Sequence, residues 1–350
     1  MQLFNEALDL LKQLIAIPSF SKEEDKTADL IQSFFQDKGI STQRKGNNIW
    51  VKNLHYDAGK PTILLNSHHD TVKPNVGYTK DPFSPEVEDG KLYGLGSNDA
   101  GASLVSLMAC FLNFYNEPKL KYNLILAATA EEEISGKNGV ESILEELGEI
   151  DFAIVGEPTL LDLAIAEKGL MVLDCVATGK SGHAARNEGE NAIYNAMKDL
   201  EWFRTYTFDE VSKTLGPVRM SVTMINAGQQ HNVVPDECKF VVDVRSTDCY
   251  SNTQILEIIR EHVKSKVEPR STRLNPSSIP MDHPIVQAGI ALGRRTYGSP
   301  TMSDQALMPY PSLKLGVGDS ARSHTADEFV FIHEIEEGIE FYIELLKQVL

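Results

Sequence analysis

The chain has 350 residues, 42% of them apolar, with a mean hydropathy of -0.22. That length exceeds one comfortable hydrophobic core and favours two domains. Its 33 basic and 50 acidic residues leave a net charge of -17, which repels nucleic acid and anionic membranes and makes both poor partners. Cys110, Cys175, Cys238 and Cys249 are widely spaced, without a CxxC pair, and read as free thiols of a reducing compartment. With an N-terminus that lacks a signal-peptide pattern and no apolar run of spanning length, the expected location is the cytoplasm.

Helical spacing runs from Leu3 to Ile17 and stops at Pro18-Ser19. Ser21 is expected to open a second helix, with Glu23, Glu24 and Asp25 in its first turn. Strand-like segments follow, and Pro61-Thr62-Ile63-Leu64-Leu65-Asn66 ends in Ser67-His68-His69-Asp70. Alternation along a strand sends His68 and Asp70 to one face and His69 to the other. An imidazole held from behind by a carboxylate is a metal ligand of fixed tautomer, although His/Asp clusters are also common in plain strand-end loops.

Tyr93-Gly94-Leu95-Gly96-Ser97-Asn98-Asp99-Ala100-Gly101 is a glycine-punctuated turn feeding a helix from Ala102 to Tyr115; there Asp99 has the alternative of a helix cap. The strand Tyr122 to Thr129 ends in Glu131-Glu132-Glu133, which would equally suit an acidic helix start. The strand Phe152 to Val155 ends at Gly156-Glu157. Successive strand ends thus present oxygen or nitrogen ligands, and in open α/β sheets these ends converge on the binding site.

Beyond Glu157 the texture changes. Strands from Leu163 to Thr178, a glycine-rich loop at 179–185, a helix from Asn191 to Thr205, strands at Val218 to Asn226 and Cys238 to Arg245, and a helix from Thr253 to Lys266 describe an inserted α+β module. Pro269 to Pro284 reads as the return linker and first strand back, Val286 to Tyr297 as a helix, and Ile332 as the start of the last helix. The expected division is 1–166 with 271–350, and 167–270 between them.

His68, Asp99, Glu133, Glu157 and His324 together form a set of carboxylates and imidazoles suited to two zinc or cobalt ions. Two such ions can share and activate a water, and Glu132 beside Glu133 is the natural proton acceptor.

The segments SHHDTV, YGLGSNDAG, TAEEE, GEPT, SGHAA, NVVPDE, DVRS and SHTADE resemble, in order, the M20-type dinuclear zinc aminoacylase and exopeptidase family. The likeness is greatest to acetylornithine deacetylase and succinyl-diaminopimelate desuccinylase. It implies an α/β catalytic domain with a largely parallel sheet and an inserted α+β lid that forms homodimers. It further implies His68 and Glu157 on one metal, Glu133 and His324 on the other, Asp99 bridging, Asp70 orienting His68, and Glu132 as general base and acid. In the lid, His183 is expected to reach the neighbouring subunit's site and stabilise the oxyanion, with Asn232 and Arg245 on the substrate carboxylate. The family's Asp-x-Lys-Gly is here Asp99-Ala100-Gly101-Ala102. The activity implied is hydrolysis of an N-acyl amino acid, chiefly N2-acetyl- or N2-succinyl-ornithine or -citrulline of arginine biosynthesis. The alternatives are a succinyl-diaminopimelate desuccinylase, a broad aminoacylase or dipeptidase, and a catalytically silent metal-binding dimeric scaffold.

Overall fold

The computed structural model describes residues 2–186 and 188–350. The chain divides into two compact units, one made of residues up to Ile165, Ser278–Tyr297 and Ser303–Leu350, the other of Ala166–Ser277 and Gly298–Met302.

Strands of the first unit belong to a mixed sheet, nine-stranded among the described residues. Its heart is parallel: Thr62–His68 lies between Asn123–Thr129 and Phe152–Val155, and Ser312–Lys314 runs parallel to Phe152–Val155. Asn48–Lys52 is antiparallel beside Asn123–Thr129. The central strands are apolar on both faces because helices or coil cover both. Ile63, Leu65, Leu124, Leu126, Phe152 and Ile154 enter one core with Leu11, Phe35, Phe111 and Tyr342, whereas Leu64, Ile125, Ala153 and Val155 enter a second with Val140, Ile143 and Leu147. The period of two therefore sorts each strand between two cores. Within the first core the helix Ala102–Phe114 is buried almost all round, as its apolar sequence requires.

Some boundaries depart from the sequence expectations. The second helix begins at Asp25 rather than Ser21, because Ser21 and Glu24 have distant partners described below. The helix expected from Val286 to Tyr297 is Pro284–Ala291, closed by Gly293 at φ 85°, and Thr296–Ser299 is a strand.

In the second unit a four-stranded antiparallel sheet runs in the order Arg219–Ala227, Glu237–Ser246, Gly169–Thr178, Lys266–Pro269. Gly169–Thr178 alternates buried with half-buried residues. One face packs on the helices Ala192–Thr205 and Asn252–His262 around Phe203, Phe240 and Ile259, leaving the other open. This unit extends past the 167–270 expected from texture, running to Ser277 and taking in Gly298–Met302. Lys266–Pro269 pairs with Gly169–Thr178, Arg270 grips Asp174 at 2.8 and 2.9 Å, and Ser299 O accepts the Lys168 N–H.

Candidate metal centre

Three strand ends of the first unit carry His68, the Glu132–Glu133 pair and Glu157, and irregular segments supply Asp99 and His324. Glu157 follows Phe152–Val155 through Gly156, where a Cβ would lie 2.7 Å from Leu107 and 3.1 Å from both Ser103 and Ser67, so only glycine lets the chain turn so close to its neighbours.

His68 is buried, and its Nδ1 lies 2.9 Å from the main-chain oxygen of Asp70 and 3.5 Å from Asp70 Oδ1. The shorter contact is the hydrogen bond, which makes Nδ1 the N–H and turns the lone pair of Nε2 outward. Nε2 makes no hydrogen bond among the described residues, yet three carboxylates face it: Asp99 Oδ1 at 3.4 Å, Glu157 Oε1 at 3.7 Å and Glu132 Oε2 at 4.0 Å. Burial alone would lower the pKa of His68, but Asp70, Asp99, Glu132 and Glu157 push it well above the usual value.

The Asp70 carboxylate holds the next loop as much as the imidazole. It accepts the Ser21 hydroxyl at 2.7 Å and the main-chain N–H groups of Glu132 and Glu133 at 3.0 and 3.2 Å. Burial opposes its ionisation, but His68 and these donors keep it below the ordinary carboxylate range. Glu24 does similar work from the other side, accepting the N–H of Glu131 at 3.2 Å and the Asn47 amide at 2.9 Å. Glu131 is left-handed at φ 55°, and this turn presents Glu132 and Glu133.

Burial, and after it Glu157, Asp304 and Glu133, raise Glu132 well above a normal glutamate, with His68 opposing. Burial, Asp99 and Glu133 likewise take Glu157 up to about 8 against His68 and Lys314. Asp304, which accepts Thr129 Oγ1 at 2.7 Å and Asn66 Nδ2 at 2.9 Å, is raised by burial to about 6. Asp99 faces two ways: Oδ1 toward His68, and Oδ2 at 3.6 Å from Nε2 of His324. The half-exposed His324 also donates from Nε2 to Glu133 Oε2 at 3.0 Å, and that bond takes its pKa up to about 9.

Ligand atoms of His68, Asp99 and Glu133, and of His68, Glu132 and Glu157, lie within 4.8 Å of one another. An unbonded buried imidazole nitrogen against several crowded carboxylates fits divalent cations, which would relieve the repulsion that raises Glu132 and Glu157. The structure therefore brings His68, Asp70, Asp99, Glu132, Glu133, Glu157 and His324 together.

The three remaining expected residues belong to the second unit. His183, exposed on the short strand Gly182–His183, pairs with Val233, and its Nδ1 accepts the Ala185 N–H at 3.2 Å. Asn232 sits in the adjoining turn and its carbonyl accepts the Ala184 N–H. Arg245 forms a two-point ion pair with Asp243 at 2.8 and 3.1 Å. Sequence reasoning missed Glu24, Asp304 and Glu328 as parts of the first unit's site. In the sequence, Glu328 closes the SHTADE run and Asp304 follows Ser303 in a segment without a metal-ligand pattern. A cavity of about 830 Å³, lined by Pro61, Thr62 and Asp151, lies at the amino ends of the strands, away from the cluster.

Residues 64–348 match the model for Peptidase family M20/M25/M40. The chain belongs to that family and is a metal-dependent amidohydrolase. It is 28% identical over 282 residues to succinyl-diaminopimelate desuccinylase 2 of Ruegeria sp. (strain TM1040), covering 74% of this chain and 70% of that protein. The fold matches aminopeptidase PepT from Bacillus cereus ATCC 10987 with a TM-score of 0.78 at 18% identity, over 99% of this chain and 98% of that one. It also matches YXEP of Bacillus subtilis, described as a dinuclear metal binding peptidase from the M20 family, with a TM-score of 0.72 at 16% identity over 99% and 98%.

Proposed function

We propose that the protein hydrolyses the amide bond of an N-acyl amino acid at a pair of zinc ions, with cobalt able to substitute. The observation that carries this reading is the two-sided placement of Asp99 between His68 and His324. His68 and Glu157 would hold one ion, Glu133 and His324 the other, and Asp99 both. Such ions supply polarisation of the amide carbonyl and a water of lowered pKa. Glu132 takes the proton of the attacking water and returns it to the departing amine. Burial, the first cause of its raised pKa, persists with cations bound and suits a group that must hold that proton in mid-reaction. Asp70 keeps His68 and the Glu132–Glu133 turn in place.

In the second unit, the bond that His183 Nδ1 accepts leaves Nε2 as the N–H, the donor an oxyanion needs. In our reading His183 gives it to the partner subunit's substrate, and Asn232 and Arg245 take the substrate carboxylate. A homodimer is supported by the edge strand Arg219–Ala227, where Met224 and Ile225 are 56% and 52% exposed. Four free cysteines agree with a cytoplasmic setting, and no helix among the described residues is long and apolar enough to cross a membrane.

The substrate we favour is N2-acetyl- or N2-succinyl-ornithine or the corresponding citrulline, which would place the reaction in arginine biosynthesis. The second reading is succinyl-diaminopimelate, favoured by the name of the Ruegeria relative. The test uses protein whose solution mass has been measured, with twice 38.8 kDa expected. It is assayed on N-acetyl- and N-succinyl-ornithine, N-acetylcitrulline and succinyl-diaminopimelate. Amine release from an ornithine or citrulline compound is expected; release from succinyl-diaminopimelate alone establishes the second reading, and release from none overturns both.

A further inference from the structure

Asp99 can serve two cations only if its backbone is fixed, because a carboxylate displaced by a fraction of an ångström would favour one side over the other. The segment 96–99 that carries it is irregular. Gly96 is left-handed at φ 76°, a Cβ there would lie 2.6 Å from Thr71, and regular helix begins only at Ala102. Neighbouring strands do not take up the N–H groups of this turn.

One side chain takes three of them. Glu328, 1% exposed, accepts the N–H of Gly96 on Oε2 at 3.0 Å and those of Asn98 and Asp99 on Oε1 at 2.8 and 2.9 Å. Its own main-chain oxygen accepts the Gly94 N–H at 3.0 Å, and the next residues, Phe329–Phe331, pair with Lys91–Tyr93. Glu328 is thus anchored through its backbone while its carboxylate gathers the turn. It lies four residues after His324, so one short stretch supplies a candidate ligand and also holds the loop of another. The Asn98 side chain braces the turn from the opposite side, exchanging hydrogen bonds with the main chain of Asp319 at 3.1 Å each.

We infer that Glu328 is a positioning residue of the metal centre: by binding the main-chain N–H groups of Gly96, Asn98 and Asp99 it sets Asp99 to face both cations. This inference rests on the two-cation reading of the site. Glutamine at 328 would keep the volume but turn an amide NH2 toward N–H donors, leaving at least one of them buried and unpaired.

The test is titration of chelator-stripped protein with Zn2+ by calorimetry and with Co2+ by visible absorption. Wild type should take up two equivalents. E328Q should bind at least one of them about 10- to 100-fold more weakly, with an altered cobalt spectrum, and saturating metal should restore kcat with KM unchanged. E328D keeps the carboxyl group but is one methylene short, so it should fall between the two and serves if E328Q does not fold. A folded variant that binds two cations with wild-type affinities and spectrum, whatever its melting temperature, overturns the assignment of Glu328 alone. Wild type that takes up no cation overturns the two-cation reading and this inference with it.

Discussion

His68 and His69 are consecutive and both buried, yet they face opposite environments. His68 points to the side of the strand where Asp99, Glu132 and Glu157 crowd, its Nε2 has no hydrogen bond among the described residues, and its pKa is driven up. His69 points to the packed side, where Thr27 Oγ1 meets Nδ1 and the Asn47 carbonyl meets Nε2, each at 2.9 Å. Burial above all lowers its pKa to about 4. With both ring nitrogens satisfied by neutral partners, His69 is a neutral structural bridge. The difference shows that residue type and burial do not set a histidine's surroundings: strand alternation decides which of two neighbours faces the crowded carboxylates.

The largest expected effect sharpens the His68 side. Stripping divalent metal should lower turnover of the preferred acyl amino acid by about a thousandfold, equivalent to several kcal/mol of barrier. Adding back Zn2+ or Co2+ should restore it, as an amine-release assay would report. Retained turnover in protein shown to be metal-free would mean that the charge around His68 has another use.

The smallest effect belongs to the His69 side. A folded-state pKa of about 4 against an ordinary 6.5 means that the unfolded chain binds the proton more readily. The stabilisation from neutral His69 is therefore complete above about pH 6.5 and lost as pH falls toward 4. Between pH 7 and 5 this amounts to roughly 2 kcal/mol. Urea unfolding of wild type and H69Q at both pH values should show a smaller pH dependence in the variant; equal slopes would remove His69 from the account.

The strand ends that bring His68, Glu133 and Glu157 into the cluster were legible in the sequence because each is an apolar run broken abruptly by His or Glu, and the parallel sheet gathers such ends. Alternation also separated His68 from His69 correctly. The residues that hold the ligand loops were not legible. Ser21 and Glu24 look like the opening of a helix, yet their side chains serve Asp70, Asn47 and Glu131, which lie 23 to 107 positions away. Glu328 looks like one more acid in a charged run, and its three N–H partners lie about 230 residues earlier. Local propensity carries no trace of such partners, and tertiary contacts override it. Asp70, read as the group behind His68, lies against its Nδ1 through the main-chain oxygen at 2.9 Å and Oδ1 at 3.5 Å, and its carboxylate also takes the N–H groups of Glu132 and Glu133, which the sequence did not show. The stretch from Val286 to Tyr297 misled because Gly293 ends the helix and the chain then enters a strand.

The proposed mechanism divides the carboxylates around His68 into groups that hold cations and one, Glu132, that carries the proton. It is tested most directly by E132Q, an isosteric change, with bound metal and turnover measured on the same sample. E132Q should bind two cations, as wild type does, with a kcat lower by about 10²–10⁴-fold. Wild-type turnover at full metal occupancy would contradict it.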